Sequence, residues 1–477
     1  MRPEVVNTPD ERDIEELKRR VGAAGIVTDS ARASYETPAR YPSGIAAAVV
    51  RPANAAEVSA VLAYCLARGL RVIPQAGHTG LALGGTPDAS GQDIVLSVDR
   101  LKTVHHICPL DRTVTADAGV RLSALNDALE PYGLFLPIDL GADPMLGGMA
   151  ATNTGGARFL RYGDMRAQVL DLEIVLAKDD APVVRLGAGL RKDNTRLSLK
   201  DLVVGAGAAF GVITRVTAQV HPLPRQTAAA LLVPSHPEKT PEIVARLERE
   251  AGELISALEG MSGAAMGRAL DEVPGLRNPF GGPAPAYALL LELSTTLSPS
   301  TLQLDEALLS VLAPLVEGPD TLLQDVLVTP PSALWSLRHS LSEGLRRGGQ
   351  VVGLDLAFRR DRVFAFRQAA LRLLAQLGTD AEVCDFGHVA DGGVHFNLVA
   401  PATTSKDELH SVRDALLDLA VHEFGGSFSG EHGLGPANQA AYDRYVPSEE
   451  RGLAGEILAG LGVGACGHVR LGRSAVV

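Results

Sequence analysis

Gly147-Gly148-Met149-Ala150-Ala151-Thr152-Asn153-Thr154-Gly155-Gly156, continued by ARFLRYG to residue 163, opens as a run of glycines and small residues. Such loops let a backbone approach a ligand closely, and their peptide N–H groups bind diphosphate oxygens. Two more segments of this kind flank it. Pro74-Gln75-Ala76-Gly77-His78-Thr79-Gly80-Leu81 comes before it, and Gly205-Ala206-Gly207-Ala208-Ala209-Phe210-Gly211-Val212-Ile213-Thr214 after it. Any one of them reads equally well as a tight turn between strands. Three within about 140 residues point to a large nucleotide cofactor. A nicotinamide site of the Rossmann type fails on context. Gly205–Gly211 loosely follows G-x-G-x-x-G, but the GVITRVTAQV that comes next is strand-like where that fingerprint opens a helix.

The chemistry lies further on, in Gly387-His388-Val389-Ala390-Asp391-Gly392-Gly393-Val394-His395-Phe396-Asn397 and Ser429-Gly430-Glu431-His432-Gly433-Leu434-Gly435. Imidazole nitrogens and a carboxylate suit zinc or a similar divalent ion, and three protein ligands leave a position open for substrate. With His388, His395 and Glu431 as ligands, His432 stands beside them as a general base. The spacing matches neither a zinc finger nor a zincin. On a straight strand, two histidines seven residues apart face opposite sides; the Asp391-Gly392-Gly393 turn is what could reunite them, and Asp391 reads as its builder.

A chain of 477 residues is long for one core, so two or three domains are expected. Its net charge of −12 argues against nucleic acid as a partner. Cys65, Cys108, Cys384 and Cys466 lie far apart, which excludes an iron–sulfur cluster held within this chain and fits a reducing compartment. The polar start MRPEVVNTPDERDIEELKRR shows no secretory signal, and no apolar run is long enough to span a membrane. The expected location is the cytoplasm.

Helical patterns cover residues 10–24 and the segment after Pro52-Ala53-Asn54, where Val58, Val61, Leu62, Cys65 and Leu66 recur before Gly69. Strands are predicted at Leu70–Pro74, Ile94–Val98, Thr113–Ala116, Val169–Leu176 and Val212–Val220. Pro222–Arg225 reads as a boundary. Beyond it, strands at Tyr287–Leu293, Val351–Phe358 and Val394–Val399 alternate with helices near 301–316, 361–377 and 406–424. That pattern predicts an α+β domain on an antiparallel sheet.

Quoted in order, PQAGHTGLALGG (74–85), DLGA (139–142), ATNTGGARFLRYG (151–163), LRKDNT (190–195), FGVIT (210–214), LWSLRHSLSEGL (334–345), GHVADGGVHFN (387–397) and GSFSGEHGLG (426–435) carry a family resemblance. The chain resembles the FAD-dependent D-2-hydroxyacid dehydrogenases of the vanillyl-alcohol-oxidase flavoprotein superfamily, from about residue 40 to 450. The resemblance implies an α+β fold with an FAD-binding domain of the PCMH type over 1–222 and a substrate (cap) domain over 223–425. A segment over 426–477 would return to the flavin site. It implies that Gln75, Ala76, Gly77, His78, Thr79 and Gly80 wrap the FAD diphosphate. Thr152, Asn153, Gly155, Gly156, Gly211, Val212 and Ile213 would line the rest of the cofactor. His388, His395 and Glu431 match the metal ligands, with zinc the expected ion. His432 matches the proton acceptor, Arg338 the carboxylate-binding arginine and Asn397 a neighbouring active-site residue. The implied reaction is oxidation of a D-2-hydroxyacid to the 2-oxoacid, with hydride passing to flavin N5 and electrons on to a flavoprotein, quinone or cytochrome. A homodimer is held open as the assembly.

Departures accompany the resemblance. Relatives acting on 2-hydroxyglutarate have a lysine where VVGLD places Gly353, so a second substrate carboxylate loses a contact. Gly205-Ala206-Gly207-Ala208 lacks the acid of the usual G-S-E-G, Ala390-Asp391-Gly392-Gly393 replaces Gly-Asp-Gly-Asn, and GLGVGACGHVRLGRSAVV replaces the usual ending. His78 stands where distant superfamily members bond histidine covalently to the flavin. Alternative readings are a D-lactate or glycolate oxidoreductase subunit and a flavin-binding subunit whose catalysis has lapsed.

Overall fold

Asn54 starts the helix Ala55–Arg68 by accepting the Glu57 N–H on its side chain at 2.9 Å, and Gly69 ends it in the left-handed conformation at φ 65°. Both are the cap chemistry expected at helix termini. The helix buries Val58, Val61, Leu62 and Cys65. It crosses between two parallel-sheet strands in the computed structural model, which describes residues 6–317, 321–464 and 466–472. The chain forms two compact units.

The first unit takes the described residues of 1–155, 163–222 and 432–477. One sheet runs Ile26–Val27, Ala46–Val50, Asp93–Ser97, Val72–Gln75, with the last three strands parallel. Their near-continuous apolar runs suit strands covered on both faces. A second, antiparallel sheet runs Val104–Cys108, Thr113–Asp117, Gly211–Gln219, Val169–Leu176, Val183–Gly187. His105 and His106, which read as a solvated strand end, lie exposed on the Val104–Cys108 strand, and His105 Nε2 lies 2.6 Å from Asp117 Oδ1.

The second unit takes residues 156–162 and the described residues of 223–431. Its antiparallel sheet runs Leu323–Val328, Gln226–Pro234, Tyr287–Thr295, Ile255–Ser262, Phe386–Gly387, Gly393–Ala400, Gln350–Ala357, with Glu382–Val383 also pairing Gly393–Ala400. The predicted antiparallel α+β architecture is therefore observed. Helix Gly263–Glu272 packs so tightly on helix Pro331–Gly348 that a Cβ on Gly344 would lie 2.5 Å from Ala269 Cα.

The segmentation differs in detail from 223–425 and 426–477. Residues 426–431 stay with the second unit, where Ser427 bridges Ala357 and Gly430 N donates to Asp355 O at 3.1 Å. Residues 156–162 also belong there: Arg161 Nη1 donates to Ser294 O at 2.7 Å. Of the divergent ending, Ala465 and residues 473–477 lie outside the described residues, as do residues 1–5 of the polar start. Its described part packs within the first unit, with Gly467 N on Val72 O at 2.8 Å and Tyr442 Oη on Leu471 O at 2.8 Å.

Candidate active site

A tight turn solves the facing problem of the two histidines. His388 leaves the short strand Phe386–Gly387, and its carbonyl accepts N–H groups of Asp391, Gly392 and Gly393 at 3.0, 3.2 and 3.2 Å. Asp391 Oδ1 accepts Gly393 N at 2.8 Å, so this aspartate builds the turn as expected. The chain then re-enters the sheet at Gly393–Ala400, carrying His395 back beside His388 with ring centroids 5.4 Å apart. Gly392 sits at φ 98°, where a Cβ would run into the Phe358 carbonyl oxygen. Gly392→Ala is therefore expected to destabilise the second unit by about 1–3 kcal/mol. A chemical-denaturation midpoint equal to wild type would contradict this.

Glu431 closes the group. Its Oε1 lies 3.2 Å from His395 Nε2 and its Oε2 3.5 Å from His388 Nε2. His388 Nε2 is buried and, among the described residues, has no hydrogen-bond partner. An orphaned, inward-facing imidazole nitrogen beside a carboxylate is the donor set a divalent metal would satisfy. Asp355, His395, Glu431 and His432 offer ligand atoms that all lie within 4.8 Å of one another. Asp355 is better placed as a support than as a ligand. Its Oδ2 accepts Glu431 N at 2.9 Å and Ser429 Oγ at 3.2 Å, and its Oδ1 lies 3.6 Å from His395 Nδ1. His432 follows Glu431 directly and is where the chain passes into the first unit.

Arg338 lies in the helix Pro331–Gly348, in the same stripe as buried Leu334, Leu341 and Leu345, which turns its side chain inward. Its Nε donates to Glu259 Oε2 at 2.7 Å, and its guanidinium carbon sits 4.8 Å from the centre of the Phe386 ring. Among the described residues it makes no other hydrogen bond, so both terminal NH2 groups remain for a carboxylate. The other Glu259 oxygen accepts His388 Nδ1 at 2.7 Å. Burial pushes the Glu259 carboxyl up, but His388 and Arg338 outweigh it and hold its pKa at about 2. For His388, burial opposes the charge while Glu259 and Glu431 raise its pKa well above the ordinary value. Burial likewise works against ionised Glu431, and the two histidines hold its pKa well below the usual range. Asn397 is buried opposite Gly353 in the sheet register, its Nδ2 donating to His395 O at 3.1 Å.

Glu259 and Asp355 escaped the reading of the sequence. A signal existed for the first: every residue of Ile255–Ser262 is buried, and a lone carboxylate in such a strand needs partners.

In the first unit the three glycine-rich segments converge. A Cβ on Gly148 would come 3.1 Å from Ala76 Cβ, and one on Gly77 3.0 Å from Met145 N. Gly205 N and Gly207 N donate to Ala150 O and Ala151 O at 3.0 and 2.8 Å. Gly80 has open space where its Cβ would be. Closely approaching backbones with an open glycine suit a dinucleotide cofactor. Several expected side chains serve the scaffold instead. Gln75 Nε2 donates to Tyr35 O and Gly85 O at 2.8 and 2.6 Å, and Asn153 Nδ2 donates to Asp164 Oδ2 at 2.7 Å. Thr152 Oγ1 donates to Gly148 O at 2.9 Å. His78 sits at φ 55° with Nε2 2.8 Å from Thr86 Oγ1, a hydrogen-bonding role. Burial, opposed by a backbone hydrogen bond at Ser34, lowers its pKa.

Two family models match the chain, the FAD binding domain over residues 46–187 and the C-terminal domain of FAD linked oxidases over residues 223–454. The D-2-hydroxyglutarate dehydrogenase, mitochondrial, of Danio rerio is 33% identical over 414 residues, 86% of this chain and 75% of that protein. The chain belongs to the FAD-linked D-2-hydroxyacid dehydrogenase family. The D-2-hydroxyglutarate dehydrogenase of Xanthomonas citri pv. viticola is 30% identical over 403 residues, 81% of both chains. Crystalline p-cresol methylhydroxylase superposes with a TM-score of 0.75 at 14% identity, covering 96% of each chain, which shows the shared vanillyl-alcohol-oxidase-type fold. This family member is an FAD-dependent oxidoreductase. Among its described residues no helix is long and apolar enough to cross a membrane.

Proposed function

We propose that this protein oxidises a D-2-hydroxyacid to the 2-oxoacid with the help of a divalent metal, zinc being the best match to the donors. The orphaned His388 Nε2 facing Glu431 carries the metal part of this reading. His388, His395 and Glu431 would hold the ion. Bound FAD supplies the hydride acceptor and the metal a Lewis acid. The residues do the rest. Arg338 offers its two unengaged NH2 groups to the substrate carboxylate, which fixes the face of the α-carbon presented. His432 removes the hydroxyl proton as the hydride leaves that carbon. Asn397, fixed on the strand of His395, bounds the site.

The family resemblance points to dicarboxylic 2-hydroxyglutarate, but Gly353 opposite Asn397 brings no cation for a second carboxylate. That favours a monocarboxylic acid such as D-lactate or glycolate. Electrons leave to a flavoprotein, quinone or cytochrome outside the chain. The four thiols are unbridged, which supports a reducing compartment such as the cytoplasm.

Metal removal tests the reading. Dialysis against a chelator is expected to abolish 2-oxoacid formation while FAD stays bound, and added zinc to restore it. Turnover unchanged after complete metal removal would sink the metal assignment.

A further inference from the structure

Buried Glu259 touches both Arg338 and His388. Its two oxygens are divided, one holding Arg338 Nε and the other His388 Nδ1, each at 2.7 Å. It rises from the interior of a fully buried strand, so neither oxygen has water to fall back on. We propose that Glu259 is a positioning residue that joins the carboxylate-binding arginine to the metal-binding histidine and dictates which His388 nitrogen faces the metal. The inference rests on the metal and arginine roles proposed above.

Arg338 Nε–H can only donate, and Glu259 accepts it. The second oxygen has no proton to give, so the only stable partner it allows at His388 Nδ1 is an N–H. With one proton fixed on Nδ1, Nε2 is the nitrogen that gives up its proton and offers its lone pair when a metal binds beside Glu431. Outer-shell carboxylates of this kind orient a ligand histidine and raise its basicity. The same carboxylate leaves Arg338 its two terminal NH2 groups.

Glu259→Gln has almost the same shape but one oxygen and one NH2. Arg338 Nε–H must take the oxygen, so the amide NH2 faces His388. His388 then has to accept at Nδ1, which places its proton on Nε2 and blocks the lone pair. Adding Arg338→Met releases the amide oxygen. The side chain can then turn it to His388, and Nε2 recovers its lone pair. The double variant also leaves no unpaired charge in the buried position.

Zinc titration against a chromophoric chelator, on FAD-loaded protein, reads both. Zinc affinity is expected to fall about 10- to 100-fold in Glu259→Gln. Most of that loss should return in Glu259→Gln/Arg338→Met, although that variant has lost its carboxylate clamp. A merely structural role would lower the melting temperature of both variants and leave the double no better than the single. Wild-type affinity in the single variant, or a double weaker than the single, overturns the proposal. Should the single variant not fold, the double decides alone, since a 10- to 100-fold loss there contradicts the tautomer argument. Wild-type protein that takes up no zinc overturns the metal reading and this proposal together.

Discussion

Replacing His432 with alanine is expected to slow anaerobic reduction of the bound flavin by substrate about 100- to 10,000-fold, the usual worth of a positioned general base. Binding should survive. The proposed ligands are His388, His395 and Glu431, the carboxylate clamp is Arg338, and the segments that suit FAD lie around Gly77, Gly148 and Gly207. None of them is His432. FAD content should therefore equal wild type, and the loss should fall on the reduction rate rather than on substrate affinity. A reduction rate within a few-fold of wild type would remove His432 from the mechanism. Loss of flavin together with rate would make it a structural residue instead.

Arg338→Met should produce the second large effect, on two properties at once. It removes the planar fork from the substrate carboxylate, and it deprives buried Glu259 of one of its two partners. Removing one partner of a buried pair leaves an uncompensated charge and costs about 3–5 kcal/mol of stability. Truncating a buried, hydrogen-bonded charge partner costs a further about 2–5 kcal/mol in binding, so kcat/KM should drop at least about 30-fold. Arg338→Lys separates the two contributions. A lysine ammonium can neutralise Glu259 and recover stability, but as a point charge it cannot hold Glu259 and grip a carboxylate bidentately. Melting temperature should recover in the lysine variant while kcat/KM remains low. Full recovery of both would mean that Arg338 contributes charge alone.

Much of the fold was readable because its signals are local. Asn54 and Gly69 bracket the helix between them, and alternating or continuous apolar runs mark Val169–Leu176 and Tyr287–Thr295. Residue type and resemblance singled out His388, His395, Glu431 and His432, and the fold brings the first three together. What the sequence hid is held by pairing between distant segments. Glu259 is 129 positions from His388 and 79 from Arg338. Asp355 meets Glu431 across 76 positions. No periodicity reports such partners, although a lone acid in an apolar strand shows that one must exist. Gln75 and Asn153 show the converse. Both lie in cofactor-type motifs, yet their side chains are spent on the protein's own carbonyl and carboxylate groups. A motif fixes where the backbone comes close, and the fold then decides what each side chain does.

The most direct test of the account is anaerobic mixing of the zinc-loaded flavoprotein with the two enantiomers of a 2-hydroxyacid, watching the visible flavin band. Lactate and 2-hydroxyglutarate come first. Bleaching is expected with a D-enantiomer and not with its L-counterpart, slower when the α-hydrogen is deuterium, with lactate acting better than 2-hydroxyglutarate. Bleaching by the L-acid, or an oxidised flavin untouched by every D-2-hydroxyacid, would contradict it.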